Sequence, residues 1–241
     1  MSEIKPEFDA LSSSYEELLR DPIRDRFGAG KSDFFHVRKR DLIREYFRGR
    51  GVDSKPLSFL DLGCGTGALL TLLRGDFSYV AGCDPSGGML EAGGLKEADI
   101  DARVQHDPAR IPFDDSTFDF VTAVCVYHHV PPPARAALTA EVRRVLKPGG
   151  TFSIIEHNPY NPATRLIVSR TPVDADAILL RASETRELLR AAGFQIDDQR
   201  YFLYFPEGLY KKLSGVESAL KSLPLGGQYA VFGKHQGSRR S

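Results

Sequence analysis

The chain has 241 residues, 41% of them hydrophobic and 27% charged, with Lys+Arg and Asp+Glu both at 32. That length and balance suit one globular domain with a sizeable core, and they exclude the basic excess expected of a nucleic-acid-binding protein. No apolar run reaches the roughly 20 residues of a membrane helix, which argues against stable membrane insertion, and Met1–Pro6 lacks a signal-peptide core. Cys64, Cys83 and Cys125 are odd in number and far apart, so they read as buried or site-lining thiols in a reducing compartment rather than a disulfide framework. The expectation is a cytoplasmic protein.

Taken in order, residues 1–52 form a helical N-terminal cover. Tyr15–Arg20 is a short helix stopped near Pro22, and Phe27–Gly30 is a loop. Ser32 caps a helix through Phe35, Arg38, Leu42, Ile43, Tyr46 and Phe47. That helix is either a lid or a cover packed on a sheet edge.

Strands and helices alternate over residues 53–157. Strands are expected at Leu57–Leu62, Tyr79–Asp84, Ala102–Asp107, Phe118–Val126 and Thr151–Glu156. Pro131–Leu146 is a helix, and Lys147-Pro148-Gly149-Gly150 a turn. This order predicts an α/β fold with a doubly wound, mostly parallel sheet. An irregular stretch, Asn158–Arg181, opens the last segment, 158–241. Ser183 then caps a helix closed by Gly193. Phe194–Tyr204 is a sixth strand, Leu209–Leu220 an amphipathic helix and Tyr229–Phe232 a last strand.

The chemistry-bearing stretch is Phe59-Leu60-Asp61-Leu62-Gly63-Cys64-Gly65-Thr66-Gly67-Ala68, a strand that breaks into alternating glycines before a helix. Gly63, Gly65 and Ala68 fit the G-x-G-x-x-G/A pattern, with Asp84 about twenty residues on to take both hydroxyls of a ribose. An NAD site is open at this point. Asp61 argues against it: an anion beside the loop repels a pyrophosphate and attracts a cationic ammonium or sulfonium. Asp107 ends the third strand, in position to accept from an adenine amino group.

Together, Asp61-x-Gly63-x-Gly65-x-Gly67, Asp84, Asp107, Phe118-Asp119 and the Lys-Pro-Gly-Gly turn resemble the class I S-adenosylmethionine-dependent methyltransferases, type 11-like, over roughly Leu57 to Glu156. The resemblance implies a seven-stranded Rossmann-like sheet with an antiparallel last strand, and S-adenosyl-L-methionine as cofactor. It implies that Asp61 and the Gly63–Gly67 loop, Cys64 included, approach the methionine part. It also implies that Asp84, followed by Pro85, binds the ribose, that Met89 packs on the adenine, that Asp107 meets the adenine amino group, and that backbone at Cys125 and Val126 faces the ammonium. Pro108 departs from the pattern, because it lacks the N–H that usually meets the ring.

Residues acting on a methyl acceptor should follow the fourth and fifth strands. Tyr127-His128-His129 and Glu156-His157-Asn158-Pro159-Tyr160 lie there. The expected base for a hydroxyl is His157 or His128, oriented by Glu156, with Tyr127 and Tyr160 shaping the pocket. His129 reads as sheet-end structure. No metal is expected, because adjacent ligands are a poor metal spacing. Arg38, Lys39, Arg40, Arg165, Arg170, Asp174 and Asp176 are solvated charges or a grip on an anionic acceptor. The expected partner is a small molecule, a sugar or secondary metabolite methylated on oxygen. A small amine, or cofactor binding without transfer, are the alternatives.

Overall fold

The computed structural model describes residues 9, 12, 14–19, 21–28 and 33–236. Ser32 and the chain end from residue 237 lie outside them. Seven strands form one sheet: Ser58–Leu62 (β1), Tyr79–Asp84 (β2), Asp101–Val104 (β3), Phe118–Val124 (β4), Leu146–His157 (β5), Phe194–Phe202 (β6) and Gln228–His235 (β7). Their order is β3-β2-β1-β4-β5-β7-β6. β1 to β5 pair in parallel, and β7 runs antiparallel between β5 and β6. β1 is buried along its whole length, as a central parallel strand covered on both faces must be.

Helices cover both faces. On one side Pro132–Val145 and Ala182–Ala191 bring Leu138, Val142, Val145 and Leu189 onto Val121, Phe152 and Ile154. On the other, Asp33–Arg48 and Ala68–Leu73 bring Leu42, Ile43, Phe47, Leu69 and Leu70 onto Phe59, Phe120 and Ile155. The Asp33–Arg48 helix is a packed cover. Tyr46 stacks on Phe232 with ring centroids 4.1 Å apart and planes within 6°, a contact of about 0.5–1.5 kcal/mol beyond its burial. Arg38 of that helix bonds Tyr210 and Glu217 of the Glu207–Leu220 helix.

Several elements depart from expectation. Phe27 ends a helix, Pro22–Phe27, capped by Asp21 Oδ1, which accepts from Ile23 and Arg24 N–H. The Asn158–Arg181 stretch holds a helix, Pro162–Val168, and a 3-10 turn, Pro172–Asp174. Both start on proline after Asn161 or Thr171, the arrangement that opens a helix without an apolar stripe to reveal it. Ser183 sits inside the first turn of its helix, and Glu184 accepts from the Arg181 N–H instead. β5 begins at Leu146 and runs through the Lys-Pro-Gly-Gly segment. There Lys147 Nζ lies 2.7 Å from Asp119 Oδ2, which also accepts from Ser58 N–H and Oγ. These residues pin the N-terminal ends of β1, β4 and β5, opposite the glycine loop. Among the described residues no helix is long and apolar enough to cross a membrane.

Candidate functional site

The parallel strands deliver their C-terminal ends to one rim, and the start of antiparallel β7 joins them. The glycine loop opens at the end of β1. Gly63, Gly65 and Gly67 all have positive φ, at 69°, 53° and 72°. A Cβ on Gly63 would stand 2.5 Å from Val126 Cγ2, and one on Gly67 2.2 Å from Leu95 Cδ2. So the loop tolerates no side chain at either position, on backbone and on packing grounds.

Asp84 ends β2 with both carboxylate oxygens tied. Oδ2 accepts from Gly65 N–H at 2.8 Å and Oδ1 from Ser86 N–H at 2.9 Å. Burial raises its pKa against these two bonds. Ser86 caps the Gly87–Ala92 helix, where Oγ accepts from Met89 N–H at 3.1 Å. Met89 is buried, and its Cε lies against Gly65. Asp9 closes the same corner: its Oδ1 accepts from Ser86 Oγ at 2.5 Å and Gly88 N–H at 3.1 Å. No sequence signal pointed to that residue.

Asp61 is buried in β1 and accepts from Thr122 Oγ1 of β4 at 2.6 Å. Burial raises its pKa to about 7, against the Thr122 bond and the Lys39 charge. Lys39 is 6% exposed and makes no ion pair within 4.0 Å with a described residue. Its charge is felt at Asp61, Cys125 and His157. The sequence offered a clue, because Lys39 lies four residues from both Phe35 and Ile43, on the helix's apolar side. Cys64 is buried beside Gly82, and Pro85 follows Asp84 into the capped helix. Asp107 is exposed in the turn after β3, where Oδ1 accepts from Ala109 N–H at 2.8 Å.

The donors, acids and bare backbone fit an adenosyl cofactor. Asp84, oriented by two N–H groups, would hold the ribose, Met89 would face the adenine, and Asp61 and Lys39 offer opposite charges to an amino-acid end. Cys125 and Val126 continue β4 along this cradle. Cys125 sits at φ 57°, uncommon for a residue with a side chain. Its N–H bonds Ile155 O, and its Sγ accepts from Gln228 Nε2 at 3.4 Å.

The residues expected to act on an acceptor converge where β4 and β5 end. Glu156 is fully buried: Oε1 accepts from Tyr127 N–H at 2.7 Å, and Oε2 lies 2.6 Å from His128 Nδ1. His128 Nε2 is 3.3 Å from Asp174 Oδ1, and His129 Nε2 is 3.5 Å from the same oxygen. The His128 ring centroid is 5.3 Å from that of His157. Burial disfavours a charged His128, but Glu156 and Asp174 outweigh it and raise its pKa to about 11. Burial lowers His157 to about 4, and the His128 charge pushes it the same way.

One expectation narrows here and two change. Glu156 orients His128, not His157, because successive residues of a strand point to opposite faces. Tyr127 does not line the pocket: its ring is buried in the core and its hydroxyl meets Thr139 Oγ1 at 3.0 Å. Asp174, read as a loop charge, belongs to the cluster, delivered by the 3-10 turn that the sequence concealed.

Residues 60–154 match the methyltransferase-domain family. A demethylmenaquinone methyltransferase of Clavibacter sepedonicus is 40% identical over 99 residues, 40% of each chain. A sterol 24-C-methyltransferase of Gibberella zeae is 28% identical over 166 residues, 63% of this chain and 43% of the relative. This chain thus spans about two fifths of the length of these curated relatives. A solved Thermotoga maritima structure, described as an S-adenosylmethionine-dependent methyltransferase and possible histamine N-methyltransferase, superposes with a TM-score of 0.67 at 17% identity. It covers 95% of this chain and 98% of that one. A Haloferax volcanii methyltransferase, solved with the Trm112 activator, gives 0.66 at 22% identity, covering 96% and 98%.

Proposed function

We propose that this chain, whose residues 60–154 form a class I S-adenosylmethionine-dependent methyltransferase domain, transfers a methyl group to a hydroxyl of a small molecule such as a sugar or secondary metabolite. Bound S-adenosylmethionine supplies a methyl group already activated on a sulfonium. The observation that carries the reading is the cradle: three left-handed glycines facing Asp84, whose two oxygens are fixed by Gly65 and Ser86 N–H.

The remaining work is alignment, exclusion of water and removal of one proton. Val126 links the two halves of the site, since it packs on Gly63 and lies two residues before His128. A hydroxyl brought to this junction meets His157 and the Glu156–His128 pair. Glu156 fixes the His128 ring, and His157, kept neutral by burial, is the imidazole that takes the proton. The two curated relatives named above carry different acceptors in their names, demethylmenaquinone and a sterol. Acceptor choice therefore belongs to segments outside residues 60–154, here the Asp33–Arg48 and Pro162–Val168 helices and the Pro172–Asp174 turn. Three free thiols suit a reducing cytoplasm.

Calorimetric titration with S-adenosylhomocysteine, with NADH as control, tests the cofactor half. Binding in the wild type that collapses in Asp84→Ala supports it, and NADH binding without adenosylhomocysteine binding refutes it. A screen of sugars, phenols and amines then tests the acceptor class.

A further inference from the structure

We propose that His128, His157 and Asp174 form a binding site for a divalent transition ion of the zinc class, placed on the acceptor side of the methyl-transfer site. The proposal rests on the reading of that cluster as the acceptor side, and replaces a free imidazole by an ion as the group that acidifies the hydroxyl.

The objection from sequence was spacing, since His128 and His129, or Glu156 and His157, are neighbours. The fold removes it. The three ligands come from three separate places: the turn after β4, the end of β5 and the Pro172–Asp174 turn. One ligand atom from each lies within 4.8 Å of the other two. A tetrahedral ion with bonds of about 2.0–2.1 Å sets its ligand atoms about 3.3 Å apart. His128 Nε2 and Asp174 Oδ1 already stand at 3.3 Å. His157 needs to close by no more than a side-chain adjustment.

A second observation points to a ligand independently. His128 is 1% exposed, and its buried Nε2 faces Asp174 Oδ1 at 3.3 Å without a well-aligned hydrogen bond. The other ring nitrogen is committed: Nδ1–H donates to Glu156 Oε2 at 2.6 Å. With Nδ1 committed to Glu156, Nε2 is the ring atom aimed into the cluster, and an ion bound there takes the place of its proton. A histidine held by a carboxylate at one nitrogen and open at the other is how proteins orient a metal-binding imidazole. Glu156 is fixed in that outer role, because its second oxygen accepts from Tyr127 N–H. The cluster also gathers two carboxylates, Glu156 and Asp174, around buried imidazoles, an arrangement that a cation offsets.

Two imidazoles and one carboxylate suit zinc or iron(II). Three protein ligands leave a coordination position open, and an acceptor oxygen would occupy it. His129 Nε2, 3.5 Å from Asp174 Oδ1 and 28% exposed in its side chain, flanks the ligand set at the rim.

The test is titration of the full chain with cobalt(II), followed by its visible absorption, with zinc as competitor. We expect one ion per chain, with affinity at least about 100-fold weaker in Asp174→Asn and His157→Gln. Glu156→Gln should weaken it about 10–100-fold, the range for an outer-shell partner. S-adenosylhomocysteine binding reports folding of every variant, since none of these side chains touches the glycine loop. No stoichiometric cobalt binding by a wild type that binds S-adenosylhomocysteine overturns the proposal, as does equal binding by Asp174→Asn. The acceptor-side reading fails separately: His157→Gln would then transfer methyl to a screened sugar or phenol at the wild-type rate, whether or not it binds cobalt.

Discussion

The two halves of the rim are made of different material. At the ends of β1 and β2 the site is mostly backbone: left-handed glycines and N–H groups, with Asp84 as their hub. At the ends of β4 and β5 it is side chains: Glu156, His128, His157 and Asp174, drawn together across 47 positions of sequence, from 128 to 174 counted inclusively. A backbone cradle depends on residues close in sequence and tolerates little change. A side-chain cluster depends on long-range placement, and each member can be exchanged without disturbing the cradle. Methyl transfer and cofactor affinity should therefore separate by mutation.

The largest expected effect lies on the side-chain half. His157→Gln should lower methyl transfer by about 100-fold or more, the usual scale for losing a group that handles a proton. Its S-adenosylhomocysteine affinity should stay within about twofold of wild type, because the residue lies outside the cradle. Single-turnover rates and calorimetry on the same preparation check this. Parallel loss of binding and transfer would mean that the halves are one cooperative unit.

The backbone half should answer in the opposite way. Gly67→Ala places a Cβ 2.2 Å from Leu95 Cδ2 at φ 72°. A left-handed conformation costs a side-chain-bearing residue about 1–2 kcal/mol before any clash. Cofactor affinity should fall about tenfold or more, with a lower melting temperature. A variant with unchanged affinity and stability would show that the loop shifts freely, and the cradle argument would fail.

Asp61 adds a pH dependence confined to the cofactor half. Its carboxyl is raised to about 7 by burial in β1, while Thr122 of β4 and the Lys39 charge of the Asp33–Arg48 helix pull it down and Asp84 of β2 pushes it up. On the proposed reading, the ionised form attracts the ammonium of the ligand. S-adenosylhomocysteine affinity should therefore rise with pH, by up to about tenfold per unit below 7, and level off above it. The effect on the unliganded fold has the opposite sign. A carboxyl raised on folding lowers stability as pH climbs from its unfolded value near 4 toward 7. Asp61→Asn should flatten both slopes, and calorimetry and thermal melts across that range measure them.

The same contrast explains what was legible. The sheet and the glycine loop could be read because their signals are local: apolar runs for β1, β2 and β4, and a glycine pattern with Asp84 at fixed spacing. The Asp119–Lys147 pair was legible as a motif but not as a function, and its task is to tie strand ends together. In sequence Lys39 reads as a solvated charge or a grip on an anionic acceptor, whereas the fold buries it on the apolar side of its helix. Asp174 was hidden because its turn begins on a proline with no periodic pattern, and its partners lie 17 and 46 residues away, at 157 and 128. Distance in sequence, not chemistry, concealed the side-chain half.

Tyr127 supplies the smallest effect and the sharpest control. It adjoins His128, so a reading by proximity in sequence makes it a pocket residue. In the fold its backbone N–H serves Glu156 while its ring turns into the core and its hydroxyl meets Thr139 on the Pro132–Val145 helix. Tyr127→Phe keeps the ring and the backbone donor and removes one buried hydrogen bond. The Thr139 hydroxyl still donates to Arg135 O at 2.7 Å, so it is not left unpaired. Stability should fall by about 1 kcal/mol, read as a shift in denaturant midpoint at constant slope, while the transfer rate stays at the wild-type value. A rate loss at unchanged stability would place the hydroxyl at the acceptor after all. It would also show that the turn after β4 directs Tyr127 toward the acceptor side rather than into the core.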